Sequence, residues 1–220
     1  MATDRATDRV TGRAPGPAAG PASGRVVDGG TDGAARDRTI GVAIPIPEPF
    51  GGELQRIRAS FGDPLAGAIP THITLLPPST VDGAAMGAIE EHLREIARTE
   101  RAFPIRLRGT ATFRPVSPVV FVALADGIDG CARIQRRVLS GPLDRKPAFP
   151  YHPHVTIAHH LPDEVMDRAF KELADYRADF EVWGFSLYEH GEDGVWRPQR
   201  DFAFGAGAAG PRTEEDCPDE

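Results

Sequence analysis

Segments with strand-like and helix-like spacing of apolar residues fill the chain between residues 39 and 204. Apolar side chains at every second position predict strands, whereas spacings of three and four positions predict amphipathic helices. Helices are predicted over Leu54 to Phe61, Met86 to Ile96 and Ile128 to Leu139, and a fourth is predicted after Pro162. Strands are predicted over 39–46, from His72 until Pro77-Pro78, and over 103–113, 119–124, 154–159, 180–189 and 195–204.

Two of the predicted strands carry nearly the same segment, HITLL from His72 and HVTIA from His154. Because side chains alternate along a strand, the His and Thr of each copy share one face and the aliphatic residues share the other. Each copy is followed by a predicted helix and then by a pair of strands. The pattern predicts an α+β fold of two similar lobes, each a small, largely antiparallel sheet backed by helices, with the His strands facing a central cleft.

The ends of the chain differ from its middle. Residues 1–38 hold almost no large apolar side chain, and residues 205–220 are small and acidic, so both are predicted to be disordered tails around a folded domain at 39–204. The formal net charge of -7 argues against a protein that coats duplex DNA. With no long apolar run, no signal-peptide pattern and no Cys-x-x-Cys pair, we expect a cytoplasmic protein without membrane contact, and a monomer.

The paired motifs point to acid–base chemistry. Cleavage of a phosphodiester needs one neutral imidazole to take a proton from the attacking water and one protonated imidazole to give a proton to the leaving oxygen. His72 and His154 supply the imidazoles, and the hydroxyls of Thr74 and Thr156 can donate to the phosphate oxygens. This set requires neither metal nor cofactor, and the sequence leaves open which histidine is the base.

A cluster of four histidines is an alternative metal site, but no cysteine or carboxylate stands at a zinc-ligand spacing near it. Its members are His152, His154, His159 and His160.

With these motifs the chain resembles the 2H phosphoesterase superfamily, in its group of bacterial 2'-5' RNA ligases and RNA 2',3'-cyclic phosphodiesterases. The resemblance covers residues 39–204 and implies a bilobed, pseudo-twofold fold. It implies that His72 and His154 are the catalytic pair and that Thr74 and Thr156 hold the phosphate. The implied partner is a nucleotide or RNA end bearing a 2',3'-cyclic phosphate, which is hydrolysed or, in reverse, ligated.

Two departures from the family pattern concern the substrate. His159 stands where several members of the RNA-processing branch have an arginine, and Leu76-Pro77-Pro78 replaces an aromatic-Leu-Gly segment. The other predicted substrate contacts are Tyr151 and Phe121, as rings that could stack on a base, and Arg106 and Arg108, as cations on one strand face. Core packing is the alternative for Phe121, and a solvated face is the alternative for the arginines. The competing function is a protein that binds a phosphorylated ligand without turnover.

Overall fold

The computed structural model describes residues 36–147 and 149–205, so the predicted tails lie almost wholly outside the described part. Its strands are β1 (Arg38–Pro45), β2 (His72–Val81), β3 (Phe103–Thr112), β4 (Val119–Asp126), β5 (His154–His159), β6 (Arg177–Val182), β7 (Gly184–His190) and β8 (Trp196–Ala203). Its α-helices are α1 (Phe50–Ser60), α2 (Met86–Thr99), α3 (Ile128–Val138) and α4 (Asp163–Glu172). Within these residues, no helix combines the length and apolar character that crossing a bilayer requires.

The strands form one antiparallel sheet in the order β6-β3-β4-β5-β2-β1-β7-β8. The two His-x-Thr strands lie at its centre, where β2 and β5 meet at a single residue pair, Ile73 with Val155. Each half therefore holds four strands, and the halves are continuous at this one pair. The predicted α+β fold with two related halves is confirmed.

The sheet is strongly curled. Only Trp183 separates β6 from β7 along the chain, yet five strands lie between them in the sheet. Because one residue spans less than about 4 Å, the two ends of the sheet must approach each other. Two contacts fit this closure: the backbone amide of Phe204 donates to the carbonyl of Trp183 at 2.7 Å, and the rings of Phe103 and Phe204 stack at 6.2 Å. The single strand predicted over 180–189 is therefore wrong, since the chain changes partner strand at Trp183.

The strand pairs are exchanged between the halves. β3 and β4 follow the first His strand along the chain but lie beside β5, whereas β7 and β8 follow the second His strand but lie beside β1 and β2. The prediction that each lobe combines a His strand with the strand pair that follows it is therefore wrong. Each His strand lies in the same half as the pair that follows the other one. Apolar spacing fixes which face of a strand is buried, but it carries no information on which strand lies next to it.

Strand β2 continues past Pro77 and Pro78, where the sequence pattern predicts its end. The pairing with β1 shifts register at this point, between the pairs Val42–Leu76 and Ile40–Ser79. Proline has no N–H to give to a ladder, so it is tolerated where a bulge interrupts the regular bonds. The irregularity lets β2 reach Val81.

The core covers the face of the central strands opposite the motif residues. Ile73, Leu75, Val155 and Ile157 are each at most 1% exposed. The helices contribute further fully buried side chains, among them Ile89, Leu93, Ile134 and Met166. Each such side chain stabilises the fold by about 1.5–3 kcal/mol relative to an exposed one. This packing holds the backbone of both His strands and so fixes the positions of the motif residues.

Candidate active site

The register of the central strands brings the four motif residues together. Ile73 opposes Val155 in an antiparallel pair, so residue numbers facing each other sum to 228. His72 therefore faces Thr156, and Thr74 faces His154. The arrangement is a square of two imidazoles and two hydroxyls in which each histidine stands across from the other motif's threonine.

Both imidazoles are oriented by the same contact. Nδ1 of His72 lies 2.7 Å from the carbonyl oxygen of Pro70, and Nδ1 of His154 lies 2.7 Å from that of His152. Because a carbonyl oxygen only accepts, Nδ1 carries the hydrogen in each ring. Nε2 is left as the nitrogen that can exchange a proton with a bound molecule.

Burial lowers the pKa of both histidines. For His72 the main cause is desolvation of the charged form, with the positive charges of Arg58 and His154 adding to it. For His154 the main cause is again desolvation, and the neighbouring His152 adds to it. The hydrogen bonds to Pro70 and His152 oppose these shifts. Both rings are thus neutral more often at pH 7 than an exposed histidine.

The backbone before His72 is held by α1. The hydroxyl of Thr71 donates to the side-chain oxygen of Gln55 at 2.6 Å, and the amide nitrogen of Gln55 donates to the carbonyl of Ile69 at 3.1 Å. These bonds fix the segment whose Pro70 carbonyl orients the first imidazole. Helix α1 therefore positions His72 although none of these contacts touches the ring.

Two phenylalanine rings pack around His154. Phe113 lies 4.9 Å from its ring centroid in an edge-on arrangement, and Phe121 lies 5.0 Å away. Phe121 is 2% exposed, so the predicted stacking of this ring on a base is wrong. It is paired with Thr156 across β4 and β5 and packs against the site.

Tyr151 connects the two motifs. Its hydroxyl donates to the backbone carbonyl of Thr74 at 2.9 Å, and burial raises its pKa far above the ordinary value. The ring also lines the cavity beside His154. A role in stacking on the substrate stays a prediction, but the structure adds a second role, which is holding β2 against the loop before β5.

Arg106 and Arg108 lie two strands away from β5 and are held by carboxylates. Arg106 lies 3.9 Å from Asp126, and Arg108 donates to both oxygens of Asp179 at 2.6 and 2.8 Å. β3 also carries a bulge at Gly109, where φ is +61°, directly after these two arginines. The structure therefore places these two arginines in ion pairs, and their contact with substrate stays a prediction.

His159 lies at the far end of β5, with its ring 4.3 Å from that of His160. Burial and the adjacent His160 lower its pKa, and Arg58 and Asp63 are the other charges that act on it. A contact between His159 and substrate stays a prediction. For the alternative metal site, no three His, Cys, Asp or Glu side chains converge as a ligand set within 36–147 and 149–205.

Two cavities adjoin the motifs and share Thr74. The one beside His72 measures about 40 Å³ and has an aromatic wall of Tyr188 and Trp196. Gly41 permits this wall, because a Cβ there would lie 3.2 Å from the Trp196 ring. The one beside His154 measures about 910 Å³ and includes Gln135 in its lining. Sequence analysis missed Gln135, Tyr188 and Trp196, since nothing in their local pattern distinguishes them from ordinary helix and strand residues.

Comparison with known proteins assigns this arrangement to a family. The model of the 2'-5' RNA ligase superfamily matches residues 46–194, which include both motifs. The chain belongs to this superfamily of 2H phosphoesterases. Its activity class is that of a phosphoesterase. The resemblance drawn from the two motifs is confirmed.

Relatives and solved structures agree with this assignment. A Bacillus licheniformis protein whose name assigns it to the phosphoesterases is 28% identical over 159 residues, which cover 70% of this chain and 94% of that protein. A similarly named protein of Geobacillus kaustophilus is 30% identical over 139 residues, covering 62% and 80%. The crystal structure of Escherichia coli LigT complexed with 3'-AMP matches with a TM-score of 0.55 at 20% identity, covering 77% of this chain and 99% of that one. A crystal structure of a Thermus thermophilus protein, TT0787, matches with a TM-score of 0.52 at 21% identity, covering 77% and 100%.

Proposed function

We propose that this phosphoesterase hydrolyses a 2',3'-cyclic phosphate by metal-independent acid–base catalysis between His72 and His154. The observation that carries the proposal is the matched orientation of the two imidazoles, each with Nδ1 bonded to a backbone carbonyl and Nε2 without a hydrogen-bond partner among the described residues. One Nε2 takes the proton from water as it attacks phosphorus, and the other gives a proton to the departing ribose oxygen. The P–O bond to water forms as the ring P–O bond breaks.

Thr74 and Thr156 complete the proposed site. Their hydroxyls donate to the non-bridging oxygens, where negative charge increases in the transition state. Neutral donors suit two buried histidines, because added cations would lower their pKa values further. With a 5'-hydroxyl in place of water as the nucleophile that opens the cyclic phosphate, the same residues would join RNA ends, but in dilute solution water is the more abundant nucleophile.

A nucleotide is the proposed partner. The solved LigT complexes include 3'-AMP, ATP and NADP+. The large cavity beside His154 gives this chain room for the nucleoside that such a phosphate carries.

The test is hydrolysis of nucleoside 2',3'-cyclic phosphates by the purified full chain in excess EDTA. We expect turnover by the wild type and a loss of about 10²- to 10⁴-fold in His72→Asn and in His154→Asn. His92→Asn is the matched control, because His92 lies on α2 and bonds the carbonyl of Arg137. Undiminished turnover in either motif variant contradicts the proposal, and nucleotide binding without turnover by the wild type would indicate a binding protein instead.

A further inference from the structure

The cavity beside His154 is larger than a phosphate group requires. Its volume of about 910 Å³ lies in the range of sites for whole small molecules. Thr74 and His154 belong both to its lining and to the motif square. A phosphate held by the motifs therefore places one of its ester groups in this cavity.

The lining has little positive charge. Among its described residues one guanidinium is present, that of Arg145, and it already donates to the hydroxyl of Ser79. A nucleic-acid chain carries a negative charge on every nucleotide and is bound by several lysines and arginines. The cavity suits one uncharged group next to the reacting phosphate better than a run of further phosphates.

Gln135 provides a hydrogen-bonding group inside this cavity. It lies on α3, is 6% exposed, and its side chain makes no hydrogen bond with the described residues. In the described part of the chain no wholly buried side-chain N or O lacks a partner, so the Gln135 amide must retain access to the cavity that it lines. A ligand in the cavity that presents a donor beside an acceptor can therefore bond both polar atoms of this amide.

An aromatic ring stands at the rim of the same cavity. Phe149 lines it and is 72% exposed, which is unusual for a phenylalanine side chain. Unpaired bases are commonly bound by stacking on such rings. The cavity thus combines a free aromatic face with a free amide, close to a phosphate site.

We infer that the cavity beside His154 is a nucleobase subsite, in which Phe149 stacks on the base and Gln135 bonds its edge. The inference rests on the proposed function for the phosphate. A glutamine amide can pair with a base edge through one donor and one acceptor, as it does with adenine, so adenosine compounds are the probe. The subsite makes a single nucleotide, or the last nucleotide of a chain, the unit that the enzyme recognises.

The test compares kcat/KM for adenosine 2',3'-cyclic phosphate with that for base-free 1-O-methylribose 2',3'-cyclic phosphate. We expect the wild type to prefer the adenosine compound, and Gln135→Met to lower its kcat/KM by about 10- to 100-fold while changing the base-free compound less than about twofold. Phe149→Ala should lower the adenosine value by about 10-fold with the same selectivity. Gln199→Met is the matched control, because Gln199 is exposed on β8.

Equal wild-type values for the two compounds overturn the subsite, as does a Gln135→Met variant that loses activity equally on both. Failure of the proposed function has a different signature, namely no hydrolysis of either compound by the wild type. In that case calorimetry with adenosine 3'-phosphate and 1-O-methylribose 3-phosphate decides. Tighter binding of the adenosine compound, weakened by Gln135→Met, supports the subsite, and equal binding or none overturns it.

Discussion

At the scale of single residues, one local contact makes the two catalytic candidates alike. Each histidine begins its strand and bonds the carbonyl two positions earlier, which fixes the same tautomer in both rings. Their surroundings differ. The charge of Arg58 contributes to the lowered pKa of His72, whereas the rings of Phe113 and Phe121 pack against His154. The two rings therefore share an orientation but can hold different protonation states, which acid–base catalysis by a pair requires.

The hydroxyl of Thr74 should be needed for rate and not for folding. We expect Thr74→Val, which keeps the β-branched shape, to lower kcat on a 2',3'-cyclic nucleotide by about 10²- to 10³-fold because a donor to the developing charge is lost. Thr80→Val is the control, since Thr80 is exposed near the other end of β2. Steady-state kinetics measure both, and equal kcat values for the two variants would show that Thr74 does not bind the transition state.

Sequence analysis identifies the residues whose spacing along the chain determines which face of a strand they share. A histidine and a threonine two positions apart share a strand face wherever the strand lies, so the motif residues could be predicted. The burial of Phe121 against Phe113 and the ion pair of Arg108 with Asp179 could not be predicted in this way, because both depend on contacts with other segments. Gln135 is known as a site candidate only through the cavity that it lines.

At the scale of elements, α1 and the turn after it support the first motif. Arg58 is 3% exposed and Asp63 is 4% exposed, and they form an ion pair at 2.8 Å. Asp63 also accepts from the backbone N–H of Leu65 at 2.9 Å, which caps the short 3-10 helix Pro64–Gly67. This pair therefore joins α1 to the segment that leads into His72.

Removing one member of this buried pair should be costly. We expect Asp63→Ala to lower the free energy of unfolding by about 3–5 kcal/mol, because Arg58 then stays buried without its counter-charge. Urea denaturation measures the change. Glu91→Ala, which removes a pair with Arg94 on the exposed side of α2, should have a much smaller effect. Similar midpoints for the two variants would mean that the Arg58–Asp63 pair does not stabilise the fold.

The bond from Tyr151 to Thr74 should affect both stability and turnover. We expect Tyr151→Phe to cost about 1 kcal/mol in the free energy of unfolding and to lower kcat more than it changes KM, since the second motif then loses a tether to the first. Tyr176→Phe is the control, because its hydroxyl bonds Glu53 on α1 at 3.3 Å. Denaturation and steady-state kinetics on both variants test this, and a kcat for Tyr151→Phe equal to that of the control would rule out a positioning role.

At the scale of the whole molecule, the curled sheet and the exchange of strand pairs set where the motifs meet. The element types were predictable because helix and strand spacings differ, and both His strands were predicted at their correct starts. The partner of each strand was not predictable, since the halves exchange β3–β4 for β7–β8 through closure of the sheet at Trp183. Because of this exchange, the chain crosses from one half of the sheet to the other and back again. These crossings hold the two motifs against each other.

The pH dependence of kcat/KM tests the two-histidine mechanism most directly. Catalysis needs one ring neutral and one protonated, and burial lowers the pKa of both His72 and His154. Activity is therefore lost at low pH when the base is protonated, and lost again as pH rises through the lowered pKa of the acid. We predict a bell-shaped profile with its maximum below about pH 6.5, the ordinary pKa of histidine, and the loss of one limb in His72→Asn and of the other in His154→Asn. A rate that rises steadily to high pH, or a bell that both variants retain, would contradict the account.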